Sequence, residues 1–373
     1  MKQLADLKVA IVCDWLTGTG GAERVVLELH KMFPQAPIYT SQYDDNPTIW
    51  YGGSWFSDAE IHTLWLQKLP KKLRKFLPIL RARAFSKLDL SSFDVVISSA
   101  GAEAKAVKTG PATVHISYIH APTHYYWSRY NEYLAHPGFG FFNPLARVSL
   151  KLLAKPMRRW DYRAAQRPNY LLANSYHTQA EIKRYYGRNS VVIHPPVDTG
   201  RFNSLSLQQR SGFVIAGRQT PYKRVDLAVA ACTMLDVPLT VIGNGPDHPQ
   251  LRAIAGPTIR FVTDASDAAI ADYFIASKAF IFPALDDFGI TAVEAMAAGT
   301  PVIAYKAGGA LDYVTPARTG EFFEEQSVES LAAVLRDFDS SKYHSHDIKT
   351  VAEQFSVSQF HENLQKELTR ILK

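Results

Sequence analysis

Four short stretches carry residue types that could do chemistry. Gly18-Thr-Gly-Gly-Ala-Glu23-Arg24 joins glycines, which let a backbone approach a phosphate, to a helix start, whose free N–H groups favour anions. The last glycine of the dinucleotide fingerprint is replaced by Glu23 and no G-K-[ST] follows, so neither a nicotinamide loop nor a Walker loop is spelled. A tight turn between strand and helix would use the same residues. Gly217-Arg218-Gln-Thr-Pro-Tyr-Lys223-Arg224 sets cations in a Gly/Pro-shaped turn, which suits a diphosphate, and equally describes a solvated charge cluster. Asp286 and Glu294 lie eight residues apart, in a loop and on the first turns of the next helix. Carboxylates so placed can accept hydrogen bonds from sugar or ribose hydroxyls, or act as an acid–base pair. Asp287-Phe288-Gly289 matches the kinase metal motif by chance, since no H-R-D loop accompanies it. His120-Ala-Pro-Thr-His124 follows a strand; Pro122 opposes the helix that a zinc pair at this spacing would need.

These stretches need elements to position them. Short apolar runs at Lys8–Cys13, Val95–Ser98, Thr113–Tyr118 and Tyr170–Ala173 alternate with helical patterns in the first half. Phe213–Ala216, Leu239–Ile242, Ile259–Val262, Ala279–Phe282 and Pro301–Ala304 do the same in the second. Buried strands between helices predict parallel sheets covered on both faces, hence two doubly wound α/β domains. In such sheets ligands bind beyond the carboxyl ends of the strands, where all four stretches fall. The expected division is residues 1–195, 196–355 and a last helix over 356–373. That helix has a capping box at Ser356 and Gln359 and an apolar stripe of Phe360, Leu364, Leu368, Ile371 and Leu372.

Length and composition agree: 373 residues, 47% apolar and 20% charged, describe a globular chain of two domains. Two cysteines, Cys13 and Cys232, build no disulfide framework and suit a reducing compartment. No signal-like or membrane-spanning apolar run is present. The net charge of +6 is lopsided: residues 1–197 carry +11 and residues 198–373 carry −5. The first half should therefore meet something anionic. Lys68, Lys71, Lys72, Arg74, Lys75, Arg81, Arg83 and Lys87 form one acid-free cluster, interleaved with Leu73, Phe76, Leu77, Ile79 and Leu80. Arg147, Lys151, Lys155, Arg158, Arg159, Arg163 and Arg167 form another, after Phe139-Gly-Phe-Phe142. Such clusters can hold a protein peripherally on an anionic membrane, or be ordinary helical surface.

The order and spacing of the motifs resemble the retaining GT-B glycosyltransferases of family 4, especially the O-antigen-type mannosyltransferase branch. The likeness runs from Gly-Gly-Ala-Glu-Arg-Val through His-Ala-Pro, Ala173-Asn-Ser175, Gly-Arg-x4-Lys-Arg and the acidic loop to Ala307-Gly-Gly309. It implies two Rossmann-like domains facing across a cleft, the last helix crossing back to the first, and a nucleotide-sugar donor held mainly by the second. Arg218 and Lys223 would hold the diphosphate, Glu294 the ribose and Asp286 a sugar hydroxyl. Backbone donors at Phe288, Gly289 and Ile290 would touch the sugar, Gly20 and Gly21 would approach the phosphates, and His120 would contact the sugar near the reacting carbon. Three positions depart from the family pattern: Asp286 replaces Glu, His124 replaces Arg, and Asp312 stands where Glu is commoner.

The resemblance implies a hexosyltransferase with no cofactor, using GDP-mannose to extend a lipid-diphosphate-linked or polysaccharide acceptor in cell-surface glycan synthesis. Retention would have the departing phosphate oxygen take the acceptor's proton, without a dedicated base. No metal is expected: the one D-x-D, Asp337-Phe-Asp339, reads as a solvated face. The expected place is the cytoplasmic face of the plasma membrane, bound peripherally. A sugar-nucleotide epimerase or hydrolase on the same fold is the alternative. A nucleic-acid adaptor lacks recognition signatures, and a dehydrogenase lacks the glycine fingerprint.

Overall fold

The computed structural model describes residues 7–44, 55–69, 77–138, 140–202 and 210–373. Lys71, Lys72, Leu73, Arg74, Lys75 and Phe76 of the first basic cluster lie outside these, as does Phe139. The chain divides into two compact units, residues 1–194 with 361–373, and residues 195–360.

Among the described residues of the first unit seven parallel strands alternate with helices: β1 (Val9–Cys13), β2 (Ile38–Thr40), β3 (Ile61–Thr63), β4 (Val95–Ala100), β5 (Val114–Ile119), β6 (Tyr170–Ala173) and β7 (Val191–Val192). Their order is β3-β2-β1-β4-β5-β6-β7, with β1 in register with β4 from Val9 opposite Val95 to Cys13 opposite Ser99. The helices are α1 (Gly21–Met32), α2 (Pro78–Lys87), α3 (Tyr130–Ala135), α4 (Asn143–Ala165) and α5 (Tyr176–Tyr186). Central strands β1 and β4 are buried along their whole length, which is why β1 reads as an unbroken apolar run and β4 opens on one, Val95–Ile97. The turn at His120–Trp127 is irregular, as Pro122 requires.

Among its described residues the second unit has six parallel strands: β8 (Phe213–Ala216), β9 (Leu239–Ile242), β10 (Ile259–Val262), β11 (Ala279–Phe282), β12 (Val302–Tyr305) and β13 (Gly320–Phe323). Their order, β10-β9-β8-β11-β12-β13, is the doubly wound pattern with its switch between β8 and β11. Helices α6 (Val225–Met234), α7 (His248–Ile254), α8 (Asp267–Ala276), α9 (Ile290–Ala297), α10 (Val328–Asp337) and α11 (Ser345–Ala352) surround it. One core joins Val214, Phe280, Phe282 and Val302 to Val293 and Met296; another joins Ile215, Ile281 and Ile303 to Leu227, Val229 and Leu331. The sheet is thus covered on both faces.

The last helix, α12 (Val357–Leu372), starts after Ser356, whose Oγ accepts from Gln359 N–H at 3.4 Å. Its residues from His361 onward group with the first unit, where His361 Nε2 lies 2.9 Å from buried Glu28 Oε2. Cys13 and Cys232 are free and buried, and burial pushes both thiols up, Cys232 to about 12. No helix among the described residues is long and apolar enough to cross a membrane.

Candidate functional site

In the second unit the site grows from two adjacent strand ends. After β8, Gly217 turns the chain at φ +140° and the loop packs against the turn that follows β9. A Cβ on Gly243 would lie 2.3 Å from Gly217 O, and one on Gly245 would lie 2.2 Å from Gln219 O. Buried Gln219 locks the two loops together: its Nε2 donates to Gly243 O at 2.7 Å, and its Oε1 lies 2.7 Å from His248 Nδ1. This frame leaves Arg218 exposed and carries Lys223 to the far side of the turn.

After β11, the Asp286–Gly289 loop is held from below by a second glycine pair. Gly309 N–H donates to Asp286 O at 2.9 Å, and Cβ atoms on Gly308 and Gly309 would lie 2.4 Å from Asp286 O and 2.3 Å from Phe288 Cα. Tyr313 Oη donates to Phe288 O at 2.9 Å, and the Phe288 ring is buried against Tyr313 and Phe355. Phe288 therefore has only its backbone to offer a ligand. Gly289 begins α9 in the left-handed region, φ +91°, without a side-chain cap. The N–H groups of a helix's first turn have no intrahelical partner, so Gly289, Ile290 and Thr291 present the positive end of α9.

Lys223 and Asp286 meet: Nζ lies 2.5 Å from Oδ2, both side chains partly exposed. One turn along α9, buried Glu294 lies 3.9 Å from Arg201 Nη2. The structure thus joins Lys223, Asp286 and the N-terminus of α9, and pairs Glu294 with a cation the sequence reading passed over. Arg201 sits in the interdomain stretch, where nothing about its neighbours marks it.

The first unit's candidates also cluster at strand ends. His120 follows β5; its Nε2 lies 2.7 Å from Ser99 Oγ at the end of β4. Its carbonyl accepts from Asn174 Nδ2 at 2.8 Å and Thr178 Oγ1 at 3.3 Å, which gives Ala173-Asn-Ser175 a local purpose. Gly20 and Gly21 open α1, and Gly20 N–H donates to Glu23 Oε2 at 3.0 Å. The residue that breaks the dinucleotide fingerprint thus caps its own helix. His124 packs locally, its Nδ1 3.0 Å from Ser128 Oγ.

The sequence reading missed the buried polar scaffold beneath. Asp14 accepts from the N–H groups of Gly101, Ala102 and Ala104 at 2.7, 2.9 and 2.7 Å. Glu103 pairs with Arg81 at 3.0 Å and accepts from Tyr125 Oη at 3.1 Å. Burial raises its carboxyl above the usual range, against the opposing charge of Arg81. Lys105 and Asp161 are buried together at 2.7 Å, and Asp161 also accepts from Thr123 Oγ1, Trp127 Nε1 and Tyr186 Oη at 2.7–2.9 Å. Asp14 directly after a strand was the one available signal.

Residues 19–201 match the family described as "Glycosyltransferase Family 4" and residues 198–355 match "Glycosyl transferases group 1". The chain belongs to the family 4 glycosyltransferases. Among curated relatives it is 30% identical over 202 residues to the D-inositol 3-phosphate glycosyltransferase of Streptomyces avermitilis, covering 45% of this chain and 44% of that protein. It is 36% identical over 119 residues to the GDP-mannose-dependent alpha-mannosyltransferase of Mycolicibacterium smegmatis, covering 32% and 31%. The chain thus spans less than half the length of these relatives. Solved structures share the fold: Anabaena HepE in complex with UDP-glucose superposes with TM-score 0.68 at 18% identity, covering 97% of this glycosyltransferase and 100% of that chain. The sucrose-phosphate synthase of Thermosynechococcus elongatus gives 0.70 at 16%, covering 98% of each. The two Rossmann-like units are those of the GT-B fold.

Proposed function

We propose that this glycosyltransferase moves a hexosyl group, mannosyl from GDP-mannose, onto a lipid-diphosphate-linked or polysaccharide acceptor with retention of configuration. The contact between Lys223 and Asp286 carries the reading. In a nucleotide sugar the diphosphate and the transferred ring are bonded to each other. A site for them needs a cation and a hydroxyl-accepting carboxylate side by side, which is what this contact supplies. The uncapped start of α9 adds backbone donors beside Asp286.

Transfer breaks the bond between the anomeric carbon and the phosphate oxygen, whose electron pair stays with the diphosphate. Arg218, Lys223 and the α9 N–H groups stabilise that charge through fixed dipoles and cations, with no metal ion in the scheme. The acceptor oxygen bonds to the same face of the sugar, and its proton passes to the departing phosphate oxygen. His120, pinned at its ring by Ser99 and at its carbonyl by Asn174, is proposed to line the sugar near the reacting carbon. Glu294 takes the ribose hydroxyls. Mannose is favoured by the mycobacterial relative's name and by the O-antigen-type motifs, and the basic surface of the first unit favours an acceptor presented at a membrane.

Thermal-shift titration with a panel of GDP- and UDP-sugars tests the donor. A ligand at a hundred times its dissociation constant adds about 2.7 kcal/mol to the folded state. GDP-mannose is expected to give the largest shift and to yield GDP on addition of acceptor. A panel in which no nucleotide sugar stabilises the chain sinks the proposal.

A further inference from the structure

The longest helix of the first unit buries only one of its ends. In α4 the C-terminal half packs inward through Ala154, Met157, Asp161, Ala164 and Ala165, with Met157 against Ala82 of α2 and Tyr126. From Asn143 to Leu153 no side chain is fully buried. This free half exposes three large apolar side chains: Leu145 is 63% exposed, Val148 54% and Leu152 71%. Spaced by three and four residues, these share one face of the helix. At the turn that leads into it, Phe141 is 93% exposed and Phe142 57%. Stranding five large apolar groups in one place needs an explanation, since scattered single ones do not.

The charges around this stripe identify what covers it. Residues 133–160 hold five cations and no Asp or Glu. Two of the five are committed: Arg147 donates to the carbonyls of Leu134 and Ala135, and Arg158 reaches the carbonyl of Tyr126 and lies over the rings of Trp127 and Tyr130. Lys151, Lys155 and Arg159 remain exposed and flank the stripe at successive turns. A second copy of this chain laid on the same face would bring like charges together. An anionic bilayer offers hydrocarbon to the stripe and phosphate to the cations.

We propose that the N-terminal half of α4, together with the outward Lys155 and Arg159 just beyond it, is a membrane-docking element. Phe141, Phe142, Leu145, Val148 and Leu152 enter the boundary between headgroups and acyl chains, and Lys151, Lys155 and Arg159 engage headgroup phosphates. The helix lies along the surface, its apolar face sunk about 5–10 Å, as interfacial helices do. This deepens the reading of a membrane-presented acceptor by naming the segment that makes contact, and it is tested without donor or acceptor.

The test uses the full chain and vesicles of phosphatidylcholine, with or without a quarter of phosphatidylglycerol, in cosedimentation. Two variants are compared with the wild type: Phe141→Ser with Phe142→Ser and Leu152→Ser, and Lys151→Gln with Lys155→Gln and Arg159→Gln. The wild type is expected to prefer the anionic vesicles, and each variant to lose about tenfold or more in partitioning. Neither variant should shift the melting temperature, because none of these side chains enters a core. Added salt should weaken the wild type and the serine variant further. If the wild type shows no preference for anionic vesicles, the proposal and the membrane reading both fall, while donor binding stands on its own assay. If the serine variant binds as the wild type does, membrane contact lies elsewhere and this proposal alone falls. Sedimentation without lipid showing a wild-type dimer that the serine variant abolishes would assign the stripe to self-association and overturn it as well.

Discussion

Asp14, Glu103 and Lys105 in the first unit, and Lys223 and Asp286 in the second, all follow the carboxyl ends of parallel strands, yet their charges are spent differently. In the first unit they point into the protein. Asp14 ties down three backbone N–H groups, Glu103 is matched by Arg81, and Lys105 by Asp161, all of them buried. In the second unit Lys223 and Asp286 meet with both side chains partly exposed, framed from below by glycines and by Gln219. A charge at a strand end is therefore no site by itself. Whether its partners are internal or solvent-facing decides between scaffold and ligand contact.

The largest effect expected from this contrast is on stability. Lys105→Ala leaves Asp161 buried without its cation and should cost about 3–5 kcal/mol, read as a lowered urea midpoint. Lys223→Ala removes a partly exposed partner and should leave that midpoint almost unchanged. An unaltered midpoint in Lys105→Ala would erase the distinction. Activity should show the reverse. Lys223→Ala and Arg218→Ala are each expected to lose on the order of a hundredfold or more in transfer rate, about 2.7 kcal/mol of barrier. Near-normal turnover in either purified variant would remove the second unit's claim to the leaving group.

The same contrast explains what could be read from the chain. The second unit's loops are contiguous: strand, cations and helix run from Phe213 to Met234, and strand, acid and helix from Ala279 to Ala297. Each motif spans one strand–loop–helix step, so local periodicity placed it. The contact between Lys223 and Asp286 joins two such steps through strand order, which alternating elements also imply. The scaffold of the first unit is not contiguous. Asp14 reaches Ala102 across 88 residues, and Lys105 meets Asp161 on another helix. No local pattern distinguishes such a lysine from a solvated one. The short strands β2, β3 and β7, of two or three residues, went unread because they hold no apolar run long enough to register. The N-terminal part of α4 was legible as cations after aromatics, but only the hydrogen bonds of Arg147 and Arg158 to backbone carbonyls separate them from the outward Lys151, Lys155 and Arg159.

A histidine in the first unit's interior extends the contrast to pH. His115 on β5 is buried beside Ser98, Nε2 2.9 Å from its Oγ, and burial together with the charges of Arg167 and Arg188 lowers it from 6.5 to about 3. The folded state keeps the ring neutral while the unfolded chain protonates it near 6.5. Its contribution is therefore complete above about pH 6.5 and is lost progressively as pH falls towards 3. Between pH 6.5 and 5 this amounts to about 2 kcal/mol. Urea unfolding of His115→Asn across this range should lack that part of the slope. An identical pH dependence in both proteins would show that the ring titrates freely.

The smallest effect bears on the one place where the first unit resembles the second. Both α1 and α9 begin after a glycine turn, but α1 already holds an anion, the Glu23 carboxylate on Gly20 N–H, whereas α9 has no side-chain cap. Glu23→Ala should cost about 1 kcal/mol of stability, and Glu23→Gln less, because the amide oxygen can still accept that N–H. The two variants differ from the wild type by the same charge, so donor binding separates cap from ligand site. If Gly20 and Gly21 approach the donor phosphates, removing a carboxylate beside them relieves repulsion, and Glu23→Gln should bind GDP more tightly than the wild type by calorimetry. An unchanged affinity would confine phosphate recognition to the second unit and leave the glycine turn of α1 a helix start whose anion is its own.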